Sequence, residues 1–173
     1  MPQDAFDSES SLILHATGKL ARKLRVPELV PLASDSRPHL VWYGNVFTAA
    51  RAQYILTTNA ASLYSVLMPG RGITSPCEYL RQFLPKLQEH LQDDGFGHLY
   101  ERHIAPYAGG IVIAKTASRS VLGSMNDMMR SSKLQFARRE ISPWTMTKYI
   151  NETPFGPAPY RFPIDAFPDM TEE

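Results

Sequence analysis

The chain has 173 residues, 43% hydrophobic and 20% charged, enough apolar material for one self-sufficient domain. Its net charge of +1 gives no global pull toward nucleic acid, membranes or acidic substrates, so any such preference must be local. The single Cys77 excludes an intramolecular disulfide, Met1–Ser11 has neither the basic nor the apolar region of a signal peptide, and charges or prolines interrupt every apolar run short of the roughly 18 residues of a membrane span. These features predict a cytoplasmic protein without a membrane partner.

Residues 1–10, with Asp4, Asp7 and Glu9 and little that is apolar, read as a mobile leader. Leu12–Ala16 reads as a short strand, and Thr17 is placed to cap a helix through Leu24, with Leu20 and Leu24 facing inward and Lys19, Arg22 and Lys23 outward. Pro27, Pro31 and Pro38 predict an irregular connection. From His39 the pattern alternates, with Val41, Tyr43 and Phe47 on one side and Trp42 and Val46 on the other, the mark of a strand. Gln53–Thr57 and Leu63–Met68 complete a three-stranded antiparallel meander, although a helix over Ala60–Met68 fits as well.

Ser75-Pro76-Cys77-Glu78 combines a capping box with proline at the first helical position, and Leu80, Phe83, Leu84, Leu87 and Leu91 follow at helical spacing. Pro85 is expected to kink this helix and Gly95 to stop it. A second short helix over His98–Ile104 precedes a strand at Ile111–Ala114, a polar loop, and a helix from about Ser120 to Arg138. Six of the fourteen prolines fall between Pro143 and Pro168, which predicts an extended, polyproline-like segment; its interleaved aromatic residues predict that it packs on the domain as an arm. The expected fold is α+β: a small antiparallel sheet, the meander plus one or two further strands, packed with helices. Residues 11–140 would form the domain and 141–173 the arm.

Val41-Trp42-Tyr43-Gly44-Asn45-Val46, then Thr58-Asn59 with Leu63–Pro69, then Thr116-Ala117-Ser118-Arg119-Ser120-Val121-Leu122-Gly123-Ser124-Met125-Asn126-Asp127 together resemble an uncharacterised bacterial family known as a domain of unknown function. The resemblance spans roughly residues 12 to 132 and leaves the proline-rich arm outside. Gly44 and Ser118 depart from its usual Trp-Tyr-Ala-Asn and Asn-Arg-Ser patterns. It implies a shared fold and a role for Asn45, Arg119, Ser120, Ser124, Asn126 and Asp127, without implying an activity or a cofactor.

On a helix beginning at Ser120, the residues Ser120, Gly123, Ser124, Asp127 and Ser131 form a small polar stripe opposite Val121, Leu122, Met125, Met128 and Met129. With Arg119 and Lys115 near its leading turn, this stripe is a candidate anion-binding face; the plainer reading is a capped helix with a solvated Asp127. Lys115, Arg119, Arg130, Lys133, Arg138 and Arg139 form one basic group, and Lys19, Arg22, Lys23 and Arg25 form another. Should both share a face beside an exposed Trp42 or Tyr43, they would suit a nucleic-acid backbone; a merely solvated helix face is the competing reading. Asn45 either pairs with the Arg119–Asp127 turn or serves as a buried structural amide.

Cys77 has no partner base at any telling spacing, and His98 and His103 lie on different helix faces, so neither a nucleophile nor a metal site is expected. The leading expectation is a non-enzymatic protein binding an anionic or macromolecular partner through Asn45, Arg119, Ser120, Ser124 and Asp127. The alternatives are an enzyme acting on a phosphate-bearing or RNA substrate, with Asp127 as base or metal ligand, and a protein-interaction module regulated by its C-terminal arm.

Overall fold

The computed structural model describes residues 8–33, 35–156 and 161–170. The expected leader lies outside the described residues up to Asp7; Ser8–Ser10 form a 3-10 turn. Among the described residues five strands make one sheet: β1 (Leu12–Ala16), β2 (Val41–Ala49), β3 (Ala52–Asn59), β4 (Ser65–Pro69) and β5 (Ile111–Lys115), in the order β4-β3-β2-β1-β5. β2, β3 and β4 form the expected antiparallel meander, Tyr43 opposing Thr58 and Leu56 opposing Leu67. Ala50 and Arg51 both take positive φ between β2 and β3, the two-residue turn whose twist matches a hairpin. The expectation of an antiparallel sheet needs correction, because β1 pairs parallel with both β2 and β5, making the sheet mixed. Parallel pairing requires crossovers, which here run through the first helix and through the long helical excursion before β5.

The described residues form six helices: α1 (Gly18–Lys23), α2 (Pro76–Asp93), α3 (Gly97–His103), α4 (Arg119–Arg138), α5 (Pro143–Asn151) and α6 (Pro163–Ala166). Thr17, Ser75 and Ser118 each accept a backbone N–H in the first turn of α1, α2 and α4. α2 runs continuously through Pro85, and Gly95, at φ +87°, ends it.

The C-terminal expectation changes. Where extended structure was expected, Pro143–Asn151 is a nine-residue helix, started by Ser142, whose hydroxyl accepts the Thr145 N–H, and by proline at the first position, where its missing donor costs nothing. Residues 157–160 of that segment lie outside the described residues.

Each face of the sheet carries its own core. On one side Trp42 and Val46 join Leu12, Leu14, Leu20, Phe83, Leu87 and Phe167 beneath α1 and α2. On the other, Tyr43 and Phe47 join Met125, Met128, Met129, Met146 and Ile150 beneath α4 and α5. The alternation read along β2 is therefore real, and neighbouring residues of one strand feed opposite cores. No helix among the described residues is long and apolar enough to cross a membrane.

Candidate anion-binding groove

The start of α4 is tied to the sheet through three side chains. Ser118 donates its backbone N–H to the Tyr43 hydroxyl at 3.1 Å while its own hydroxyl accepts the Val121 N–H at 3.2 Å. Tyr43 stacks on His15, with ring centroids 4.7 Å apart, and His15 Nδ1 lies 2.7 Å from the Lys115 carbonyl. Tyr43, rather than Asn45, makes the bond between β2 and the turn before α4. Asn45 Oδ1 accepts the Thr17 hydroxyl and the Val46 N–H, both at 2.8 Å. Since Thr17 also caps α1, Asn45 fixes the other helix that leaves this end of the sheet.

The stripe expected along α4 divides. Arg119, Ser120, Asn126 and Asp127 are exposed, whereas Ser124 is buried with Val121, Met125 and Met128. The buried arc is wider than the apolar residues alone suggest because it takes in Ser124 and Ser132, the latter donating its hydroxyl to the Met128 carbonyl at 2.8 Å. A small hydroxyl satisfied by its own helix is cheap to bury, so polarity alone does not mark the solvent face. Asp127 accepts from Arg130 at 3.1 Å in an exposed pair that adds little stability.

Arg119, Asn126, Arg130 and Lys133 recur at helical spacing, which sets them along one side of α4. At the far end of that side a groove of about 440 Å³ opens between α1 and α4. Lys19, Arg22 and Lys23 line it from α1, Lys133 from α4, and Phe47 and Thr48 of β2 lie between them. Lys133 Nζ sits 6.0 Å from the centre of the Phe47 ring. Burial lowers the Lys23 pKa from its ordinary value, so this cation is partly desolvated at the groove wall. Among the described residues none of the four forms an ion pair. Of the two basic groups read from the sequence, Lys19, Arg22 and Lys23 of one thus share a groove with Lys133 of the other, but without the aromatic platform: Trp42 and Tyr43 are buried. The sequence names Lys19, Arg22 and Lys23 as one half of a possible basic face; that they share a groove with Lys133 is decided by the fold, which sets both beside the end of β2.

Elsewhere the described residues contain no group of three His, Cys, Asp or Glu side chains arranged to hold a metal. Cys77 is exposed, with Arg81 beside its sulfur at 3.6 Å. His103 stacks on His39, in keeping with its lying on a different helix face from His98.

No curated protein and no solved structure gives a significant match to the chain. A family model does, over residues 13–166, nearly the whole length: the chain belongs to the domain of unknown function family DUF6933.

Proposed function

We propose that this protein binds a phosphate-bearing polyanion, such as a nucleic-acid backbone, in the groove between α1 and α4. One observation carries the reading: Lys19, Arg22 and Lys23 of α1 and Lys133 of α4, more than a hundred residues apart in sequence, line one groove, and none of the four forms an ion pair among the described residues. Uncompensated cations gathered in a concave surface raise the local potential even when net charge is near zero. Arg119 and Arg130 continue the positive charge along α4, and at 1.5 Å per residue the run from Arg119 to Lys133 is about 21 Å long, several phosphate spacings. With no exposed ring on its floor, the groove suits backbone contact rather than base stacking, so binding is expected to be independent of sequence.

The test is fluorescence anisotropy with labelled single-stranded and duplex oligonucleotides at several salt concentrations. Four phosphate contacts give a slope of log K against log salt of about −3 to −4, and Lys133→Ala is expected to shrink it by about 1. Arg119→Ala reads the far end of the stripe. Salt-insensitive binding, or an unchanged slope in a folded variant lacking Lys19, Arg22, Lys23 and Lys133, would sink the proposal. The enzymatic alternative has less behind it, since Asp127 is exposed and already engaged by Arg130. The burial of Phe167 within the core supports reading the C-terminal segment as part of the fold rather than as a displaceable arm.

A further inference from the structure

α4 packs over β2 and β3 and leaves part of the same sheet face, over β1 and the start of β2, uncovered by a helix. A groove of about 300 Å³ lies there, distinct from the basic one, with Ile13, His15, Val41 and Tyr43 among its lining and Pro38 and Ala117 at its margins. Its far end reaches the turn beyond β5, at the carboxyl ends of the two parallel strands β1 and β5, the position where open sheets containing parallel strands characteristically hold ligands.

The polar groups here have a definite orientation. A backbone carbonyl only accepts, so the contact from His15 to the Lys115 carbonyl fixes the proton on Nδ1 and makes Nε2 of the neutral ring an acceptor. His15 is only 6% exposed, and Nε2 has no hydrogen-bond partner among the described residues although the side chain lines the groove. The Tyr43 oxygen accepts the Ser118 N–H, which leaves its O–H free to donate. The two rings stack, so acceptor and donor belong to one wall. The remaining charged group of the lining, Asp35, is cancelled by Arg37, which donates to both carboxylate oxygens through Nε at 2.9 Å and Nη2 at 2.6 Å. That pairing also holds the Asp35 carboxyl below its ordinary pKa, chiefly through the Arg37 hydrogen bonds.

One acceptor, one donor, no net charge and apolar walls define the complement: a compact, uncharged apolar molecule carrying a hydroxyl that donates to one group and accepts from the other. We infer that this groove is a binding site for a small phenol-like ligand, with His15 and Tyr43 as its polar contacts. The site is independent of the basic groove and does not rest on the polyanion reading.

Titration of the isotope-labelled full-length protein with 4-methylphenol, followed by methyl and imidazole NMR, tests this. Saturable shifts are expected at Ile13, Ala117 and His15, and 4-methylanisole, which exchanges the donor hydrogen for a methyl group, should bind about five- to tenfold more weakly. His15→Phe should abolish that preference. Ala117→Leu, at an exposed margin where folding is not at risk, should abolish binding of both probes. Absence of saturable shifts at these residues, equal affinity for phenol and ether in the wild type, or undiminished binding by Ala117→Leu would each overturn the inference.

Discussion

At Gly44 the fold leaves no room for a single methyl group. A Cβ built there would lie 2.5 Å from Cδ2 of Leu20 and 3.1 Å from Cδ1 of Leu14, both fully buried, so α1 sits on β2 closer than any side chain allows. Two effects oppose one another in Gly44→Ala. The substitution restricts the unfolded chain and gains about 0.4–1 kcal/mol, whereas forcing volume into a filled core costs about 1–3 kcal/mol. With neither leucine free to swing into solvent, the second wins, and a net loss of about 1–2 kcal/mol is expected in urea unfolding. Leu20→Ala alone should cost about 2–5 kcal/mol, and the double variant should cost less than the sum by at least about 0.5 kcal/mol. Strict additivity would mean that Gly44 and Leu20 are not in the tight contact described. The alanine that the Trp-Tyr-Ala-Asn pattern carries at this position thus needs a smaller or shifted neighbour on α1.

Among the elements, α5 does work that no local signal announces. β4 is the outer strand of the sheet, and its outward-facing backbone groups are taken up by side chains of α5. Asn151 accepts the Ser65 N–H at 2.8 Å and donates to the Ser65 carbonyl at 2.9 Å, while Thr147 accepts the Leu67 N–H at 3.0 Å. Residues four apart on a helix rise about 6 Å and residues two apart on a strand about 7 Å, so this pair matches the ladder of the edge it covers. Asn151→Leu strands two buried backbone groups and is expected to cost about 2–4 kcal/mol, against about 1 kcal/mol for Thr147→Val, as read from denaturant midpoints. The exposed edge should also raise self-association in light scattering. A change in stability below about 0.5 kcal/mol in Asn151→Leu would show that the edge does not depend on α5. Of the helices read from sequence, α1, α2 and α4 carry their own side-chain caps; α5 had the same signal, Ser142-Pro143 repeating Ser75-Pro76, but a proline-dense neighbourhood outweighed it. The parallel pairing of β1 was not legible, because pairing direction is decided by crossovers rather than by the strand's own residues. For the same reason both basic groups could be read in advance, while whether they share a face could not.

For the molecule as a whole, the sheet separates two cores and the C-terminal elements close both: Phe167 enters one against Trp42 and Tyr64, Met146 and Ile150 enter the other. Between these closures, the end of α2 meets α5 in a small charged seam. The buried carboxylate of Asp94 accepts from the Tyr64 hydroxyl and from Lys148, which also bridges to Asp93, and His90 stacks on Trp144 with ring centroids 3.9 Å apart. Burial, helped by Lys148 and Lys86 and opposed by Asp94 and Asp93, pushes the His90 pKa down from 6.5 to about 4. The sign follows directly. Folding favours the neutral ring, so its contribution is complete above pH 6.5 and is lost as pH falls toward 4, where the unfolded chain takes up a proton that the folded chain refuses. The difference amounts to at most about 3 kcal/mol for the whole protein. The carboxylates of Asp35 and Asp93, lowered chiefly by their hydrogen bonds to Arg37 and Lys148, act in a different window, losing their contribution only below their ordinary value of 3.8. The two effects are therefore separable in one series of urea titrations between pH 7 and pH 3. His90→Phe keeps the stack on Trp144 and removes the titrating ring, so its stability is expected to stay flat from pH 6.5 to about 5 while the wild type declines, with both falling below that as Glu78, held under its ordinary value of 4.5, and the aspartates take up protons. A wild type that is itself flat across the upper window would mean that His90 accepts its proton without loosening the seam between α2 and α5.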